Sequence, residues 1–287
     1  MDVRLTNYLE PKTRFMASRD NLEDCSKVIL GLPMDSTTSF RPGTRMGPAR
    51  VREVSEGIEE YSFYQRKSLE ELDFYDAGDI SIPFGNVEES LRRMETVALA
   101  LLQQGKKLFC MGGEHLVSWP IIKAYHKIYP ELRVIHLDAH ADLREDYLGE
   151  RLSHATVMRR VAETIGDRRL LQMGIRSGTE EEMRFASEHT FFYFNRLPDI
   201  EEFRDLLGNY PVYVSLDIDV LDPAFAPGTG TPEAGGFSSR QLLELLLNLK
   251  QFNIAGFDMV EISPPYDFGD NTALLGAKIM REALLAY

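Results

Sequence analysis

Cysteine is nearly absent: Cys25 and Cys110 are the only two in 287 residues. So small and separated a pair argues against a disulfide framework or a thiolate metal site, and both read as small buried hydrophobes. No apolar run approaches the roughly 20 residues of a membrane-spanning helix. The opening MDVRLTNYLEPKTRFMASRD is charged and polar throughout, with no basic stretch leading into an apolar one, so the chain is expected to be cytoplasmic and off the membrane. Basic residues are outnumbered, 32 Lys and Arg against 45 Asp and Glu, for a formal net charge of −13. That balance argues against a nucleic-acid partner, which needs clustered cations to displace counterions, and favours a neutral or cationic small molecule. Also missing are a linker, a low-complexity tract, a fixed-period repeat and an early GxGxxG turn, the last being the feature a nucleotide-binding doubly wound enzyme would need.

What is present alternates. Short β-branched or aromatic runs, Val28 to Leu32, Leu72 to Tyr75, Lys107 to Cys110, Arg133 to Leu137, Leu170 to Met173, Thr190 to Phe194, Pro211 to Leu216 and Ala255 to Val260, predict about eight strands. Helical patterns lie between most of them, among them GPARVREVSEGIEE, NVEESLRRMETVALALLQQ, which ends at Gly105, and SSRQLLELLLNLK, which Ser238 or Ser239 can cap. Strands alternating with helices predict an α/β fold with a mostly parallel sheet covered on both faces. Long polar loops, FRPGTRMGP, DLREDYLGERLSH and DPAFAPGTGTPEAGG, interrupt the pattern. In such sheets ligands gather at the carboxyl ends of strands, and long loops there tend to be functional.

Three strand ends carry groups that a buried sheet does not tolerate without partners. HLDAHADL places Asp138, His140 and Asp142 at alternate positions behind the apolar LRVI; VYVSLDIDVLDP delivers Asp217 and Asp219; LFCMGGEHLVS delivers Glu114 and His115. Taken singly, each has a bland reading as a solvated rim, an Asx turn or a tight glycine turn. Taken together, four aspartates and two imidazoles suit two divalent cations such as manganese. Four negative charges balance two divalent ions, and ions about 3.5–4 Å apart can share a water and present hydroxide to an electrophilic carbon.

These motifs, MGGEH, HLDAHADL and SLDIDVLDPAFAPGTGTPEAGG, with VEISPPYD after them, resemble the ureohydrolase family of arginases and agmatinases from about Gly31 to the C-terminus, and FRPGTRMGPARVRE resembles the agmatinase branch. The resemblance implies a single three-layer αβα domain over residues 1–287, with 1–25 as an N-terminal extension packed on it, and two Mn2+ per subunit. Carried over motif by motif, His115, Asp138, Asp142 and Asp217 hold one ion while Asp138, His140, Asp217 and Asp219 hold the other, with Asp138 and Asp217 bridging. His154, in GERLSHATV, aligns with the family's proton relay and Glu261, in VEISP, with the carboxylate that pairs the substrate guanidinium. Asp142 counts among the catalytic residues as well as the ligands. Homotrimeric or homohexameric assembly is implied too. His136 is read as core or as a neighbour that orients a ligand, and His126 and His189 are given no chemistry. Glu114 departs from the Asp that many members carry there.

The loop after Asp142 bears on the substrate. Where arginases grip an amino acid with neutral groups, this chain has Glu145, Asp146 and Glu150 beside Arg144 and Arg151. A substrate without a carboxylate is therefore expected: agmatine, its guanidinium at Glu261 and its ammonium near those three acids, hydrolysed to putrescine and urea in polyamine biosynthesis. N1-aminopropylagmatine would need only a longer channel. 4-Guanidinobutyrate and formiminoglutamate carry distal carboxylates, and Arg144 or Arg151 pointing inward would favour them.

Overall fold

The computed structural model describes residues 7–287, so the start of the expected N-terminal extension, residues 1–6, lies outside the described residues. Its strands are β1 (Leu9–Glu10), β2 (Lys27–Leu32), β3 (Tyr61–Ser62), β4 (Lys67–Ser68), β5 (Phe74–Ile80), β6 (Lys107–Gly112), β7 (Arg133–Leu137), β8 (Leu170–Ile175), β9 (Phe191–Phe194), β10 (Val212–Asp217) and β11 (Ile254–Val260). The helices are α1 (Gly47–Ser55), α2 (Val87–Gln103), α3 (Ser118–Ile128), α4 (Val157–Ile165), α5 (Glu180–His189), α6 (Ile200–Leu207), α7 (Ser239–Leu249) and α8 (Asn271–Ala286).

Nine strands form one sheet in the order β1-β5-β2-β6-β11-β10-β7-β8-β9. The eight expected strands are all in it and run parallel, while β1 adds an antiparallel pairing at the β5 edge, Leu9 opposite Ile80. A two-residue strand is too short to leave an alternation signal, which is why the pattern did not disclose it. Side chains alternate between two apolar cores. Val28, Leu30 and Leu32 of β2 enter one and Ile29 the other, so the strands read as continuous apolar runs. Helices α2, α3 and α4 pack in series over one face, and α1, α7 and α8 over the other, giving the three layers. Among the described residues no helix is long and apolar enough to cross a membrane.

Local chemistry sets the helix ends. Asn86 accepts from the Glu89 amide at the start of α2, and Ser238 rather than Ser239 caps α7, its oxygen accepting from the Gln241 amide. On α1, Arg52 is wholly buried; it donates to Asp76 at 2.8 and 2.9 Å and to Asp79 at 2.6 Å, tying the helix to β5. Asp76 also accepts from the Phe15 amide at 2.8 Å, and Phe15 and Met16 are buried, so the described part of the N-terminal segment is anchored on the same network.

The strand order decides where chemistry can occur. β6, β11, β10 and β7 are neighbours at the centre of the sheet, so the residues at or just beyond their carboxyl ends, Glu114 and His115, Glu261, Asp217 and Asp219, and Asp138 to Asp142, emerge side by side at one edge. Adjacent parallel strands whose chain connections leave in different directions open a crevice at that edge.

Candidate metal centre and reaction pocket

The six expected ligands converge. His115 Nδ1 lies 2.9 Å from Asp138 Oδ2, 3.3 Å from Asp217 Oδ2 and 3.5 Å from Asp142 Oδ2. His140 Nδ1 lies 3.0 Å from Asp219 Oδ2 and 3.4 Å from Asp138 Oδ1. Asp138 thus turns one oxygen towards each histidine, as a carboxylate shared between two centres must. Backbone amides fix the acids: that of His140 donates to Asp138 Oδ1 at 2.6 Å, that of Ala139 to Asp219 Oδ1 at 3.0 Å and that of Asp219 to Asp217 Oδ1 at 2.8 Å. Asp142 and Glu261 sit at positive φ, 54° and 67°, a strained setting for non-glycine residues that functional sites commonly hold.

The cluster calls for cations. Burial, reinforced by neighbouring acids, pushes the Asp142 and Asp217 carboxyls well up; burial alone would do the same to Asp138, but the surrounding histidines outweigh it and hold it down. Burial opposes charge on His140, yet Asp219 and Asp138 prevail and raise it far above an ordinary imidazole. Most telling is His115 Nδ1, buried and without a hydrogen-bond partner although carboxylate oxygens surround it. Oxygen atoms close by but off the line of any N–H bond suit a cation seated between them. Ligand atoms of His115, His136, Asp138 and Asp142, and separately those of Asp138, His140 and Asp219, lie within 4.8 Å of one another, and only nitrogen and oxygen donors are offered. The residues therefore fit a pair of divalent ions.

His136, wholly buried, is 2.8 Å from Asp138 Oδ2 through Nε2. Gln172 donates its amide protons to His136 Nδ1 at 3.1 Å and to the Ala141 carbonyl at 2.7 Å, so the His136 proton resides on Nε2 and is given to Asp138. His189 pairs with Asp167 at 2.8 Å, and His126 lies on α3; both are away from this cluster.

A cavity of about 190 Å³ opens over the acids, and its walls include His115, His140, Asp142, Asp217, His154 and Glu261. Glu261 follows β11, is 5% exposed, and accepts from the His115 amide at 2.9 Å through Oε1. Burial, with Asp217 and Glu114 nearby, pushes its carboxyl well up, so it too calls for a cationic partner. His154 opens the turn before α4. Its Nε2 is 3.1 Å from Ser39 Oγ, and its Nδ1 is 3.3 Å from Ser153 Oγ and 3.5 Å from Thr37 Oγ1. Burial lowers its pKa to about 4.

The three acids expected to read the substrate tail lie elsewhere. Glu145 is engaged by Arg151 at 3.0 Å, Arg159 at 2.8 Å and Arg160 at 3.8 Å; Asp146 accepts from the Gly149 amide at 2.8 Å; Glu150 accepts from the Leu152 amide at 3.1 Å. None of them lines the reaction pocket, although Glu150 lines a neighbouring groove of about 610 Å³ that shares Ser39 and Tyr147 with it. The pocket has Arg144, Tyr147 and Glu182 instead. Glu182 reaches it from α5, where it also accepts from the Thr179 and Leu143 amides at 2.8 and 3.0 Å, and Arg144 Nε stands 3.9 Å from its Oε2. Glu114 is another residue that sequence reasoning left without a role. It is buried, has its pKa raised to about 7 by burial, and accepts from the Thr37 amide at 2.7 Å, holding the loop that carries Thr37 and Ser39 to His154.

The arginase family profile matches residues 26–286. The chain belongs to the arginase family. This family member is 50% identical over 277 residues to the agmatinase of Bacillus subtilis (strain 168), covering 95% of this chain and 96% of the relative. It is 35% identical to the guanidinobutyrase of Pseudomonas aeruginosa, over 92% and 86% of the two chains. Its fold matches the crystal structure of the agmatine ureohydrolase of Thermoplasma volcanium with a TM-score of 0.87, at 29% identity over 96% and 94% of the two chains. The arginase-family chain is accordingly a ureohydrolase-type enzyme, with the family's α/β architecture.

Proposed function

We propose that the protein hydrolyses the guanidino group of agmatine to putrescine and urea, with two Mn2+ per subunit. His115, Asp138, Asp142 and Asp217 would hold one ion and Asp138, His140, Asp217 and Asp219 the other. When bound, the pair supplies charge compensation for the acids and a water acidic enough to be a nucleophile near neutral pH. The observation that carries the reading is the placing of Glu261 and His154 in one cavity with the acid cluster. Glu261 offers a planar, desolvated carboxylate to a planar cation with forked donors, a pairing that fixes the guanidinium carbon over the cluster. The departing amine needs a proton. His154, neutral at pH 7, can take one from within the pocket and hand it on, with Ser39, Ser153 and Thr37 steadying its ring. The likeness to the B. subtilis agmatinase supports the same substrate, and our reading carries with it a role in putrescine and polyamine biosynthesis, a cytoplasmic setting, one catalytic domain and, as the family resemblance implies, a homotrimer or homohexamer.

At the tail end we assign the ammonium to Glu182, which is 4% exposed, instead of the loop acids. Arg144 in the same wall favours a second reading, a substrate with a distal carboxylate such as 4-guanidinobutyrate. Urea release should be measured across agmatine, arginine, 4-guanidinobutyrate and aminopropylagmatine, for the parent and for Glu182→Gln and Arg144→Gln. We expect agmatine to lead and Glu182→Gln to weaken it several-fold more than a neutral-tailed alkylguanidine. A parent that prefers guanidinobutyrate and loses that preference in Arg144→Gln would establish the second reading and refute the first.

A further inference from the structure

One residue layer beneath the metal-site acids, a polar row crosses the sheet where core would be expected. Cys110 of β6, Asp258 of β11, Ser215 of β10, His136 of β7 and Gln172 of β8 are register partners in sequence along five neighbouring strands. All five are buried, and a carboxylate in such a place is costly unless it does something. Asp258, 0% exposed, accepts from Tyr213 Oη on Oδ2 and from Ser215 Oγ on Oδ1, both at 2.8 Å. Ser215 Oγ is also 3.0 Å from His115 Nε2.

Proton counting gives this chain a direction. A serine has one hydroxyl proton and two lone pairs. Besides Asp258 Oδ1 at 2.8 Å, Ser215 has Ser118 Oγ at 3.3 Å and, in one tautomer, His115 Nε2 at 3.0 Å as acceptors, and the shortest of these bonds, to a carboxylate, is the strongest. With its proton given to Asp258, Ser215 must accept from His115, so Nε2 carries the hydrogen. Asp258 receives one hydroxyl donor on each oxygen, from Tyr213 on Oδ2 and from Ser215 on Oδ1. In a neutral ring, Nδ1 is then the bare nitrogen, and it is the one facing Asp138, Asp142 and Asp217.

We propose that Asp258 is a positioning residue which, through Ser215, fixes the His115 tautomer that leaves Nδ1 free to bind a metal ion. Without the carboxylate, the Ser215 hydroxyl can turn and donate to Nε2, which places the ring proton on the ligating nitrogen. This inference rests on reading His115 as a ligand.

The test separates the two ideas. Manganese affinity is measured for the full-length parent, His115→Ala, Ser215→Ala, Ser215→Thr and Asp258→Ala, with circular dichroism to check folding. Removing a group that orients a metal-bound histidine typically lowers affinity 10–100-fold. We expect Ser215→Ala and Asp258→Ala each to weaken one of two ions by that factor, and Ser215→Thr, which keeps the hydroxyl, to retain parental affinity. In the zinc-loaded parent, which is diamagnetic, histidine 15N spectra should show His115 bound through Nδ1 with a slowly exchanging Nε2–H, whether or not the variants fold. If His115→Ala keeps both ions at parental affinity, the ligand assignment fails and takes the inference with it. If His115→Ala loses an ion but folded Ser215→Ala and Asp258→Ala bind as the parent does, or if the spectra show Nε2 ligation, the ligand assignment stands and the relay is overturned.

Discussion

Replacing His154 by alanine tests the proton-transfer step most directly. Three hydroxyls, those of Ser39, Ser153 and Thr37, lie 3.1 to 3.5 Å from the ring nitrogens, and burial holds its pKa at about 4. At pH 7 only about one ring in 10³ is then protonated, so the proton it delivers is one it has just received. General acid–base assistance of this kind is worth roughly 10²–10⁴-fold, and turnover of His154→Ala should fall by that much, on the order of 3–5 kcal/mol of barrier. KM should move only a few-fold, because the contact strengthens in the transition state and not in the bound ground state. A second readout follows from linkage. The folded-state pKa lies below that of the unfolded chain, which therefore binds more protons between about pH 4 and 6.5, so His154 subtracts stability as pH falls through that window. The alanine variant should lose that part of the slope in Tm against pH. Steady-state urea release with saturating manganese, elemental analysis for the ions and thermal melts at several pH values provide the measurements. Turnover within two-fold of the parent, or loss of an ion in the variant, would refute the reasoning.

Two other outcomes are expected. Chelation should abolish urea release and manganese should restore it best; because burial and crowding raise the Asp142 and Asp217 carboxyls, protons stabilise the metal-free cluster at low pH and are lost as pH rises. The ion-dependent gain in Tm should therefore be larger near pH 8 than near pH 6, and an equal gain, or activity in metal-free protein, would contradict this. Arg52→Met should leave Asp76 and Asp79 buried without their cation, costing about 3–5 kcal/mol and lowering Tm by on the order of 10 °C in calorimetry, with Asp76→Asn and Asp79→Asn together restoring most of it. A single variant that melts with the parent would mean the network contributes little.

Much of the architecture was legible because it is written in short-range spacing. Alternation and apolar runs located all eight parallel strands of the sheet, since a strand's two faces are set by neighbouring residues. The same local rule placed Asp138, His140 and Asp142, and Asp217 and Asp219, at alternate positions behind strands, and the structure brings them to within a few ångströms of one another. The roles of Glu145, Asp146 and Glu150 were drawn from loop charge alone. Charge does not say who will neutralise it, and Arg159 and Arg160, on α4, take Glu145 away from the pocket.

By itself, then, the amino-acid order determined the element types, the strand ends that carry chemistry and the donor atoms available there. Tertiary structure alone decided that β6, β11, β10 and β7 are neighbours, that Glu182 arrives from α5 opposite Arg144, and that Asp258 reaches His115 through Ser215. The physical reason is range. Side-chain direction along a strand repeats every two residues and leaves a periodic trace, whereas a hydrogen bond between residues 43 or 100 positions apart depends on strand order and register, which leave none.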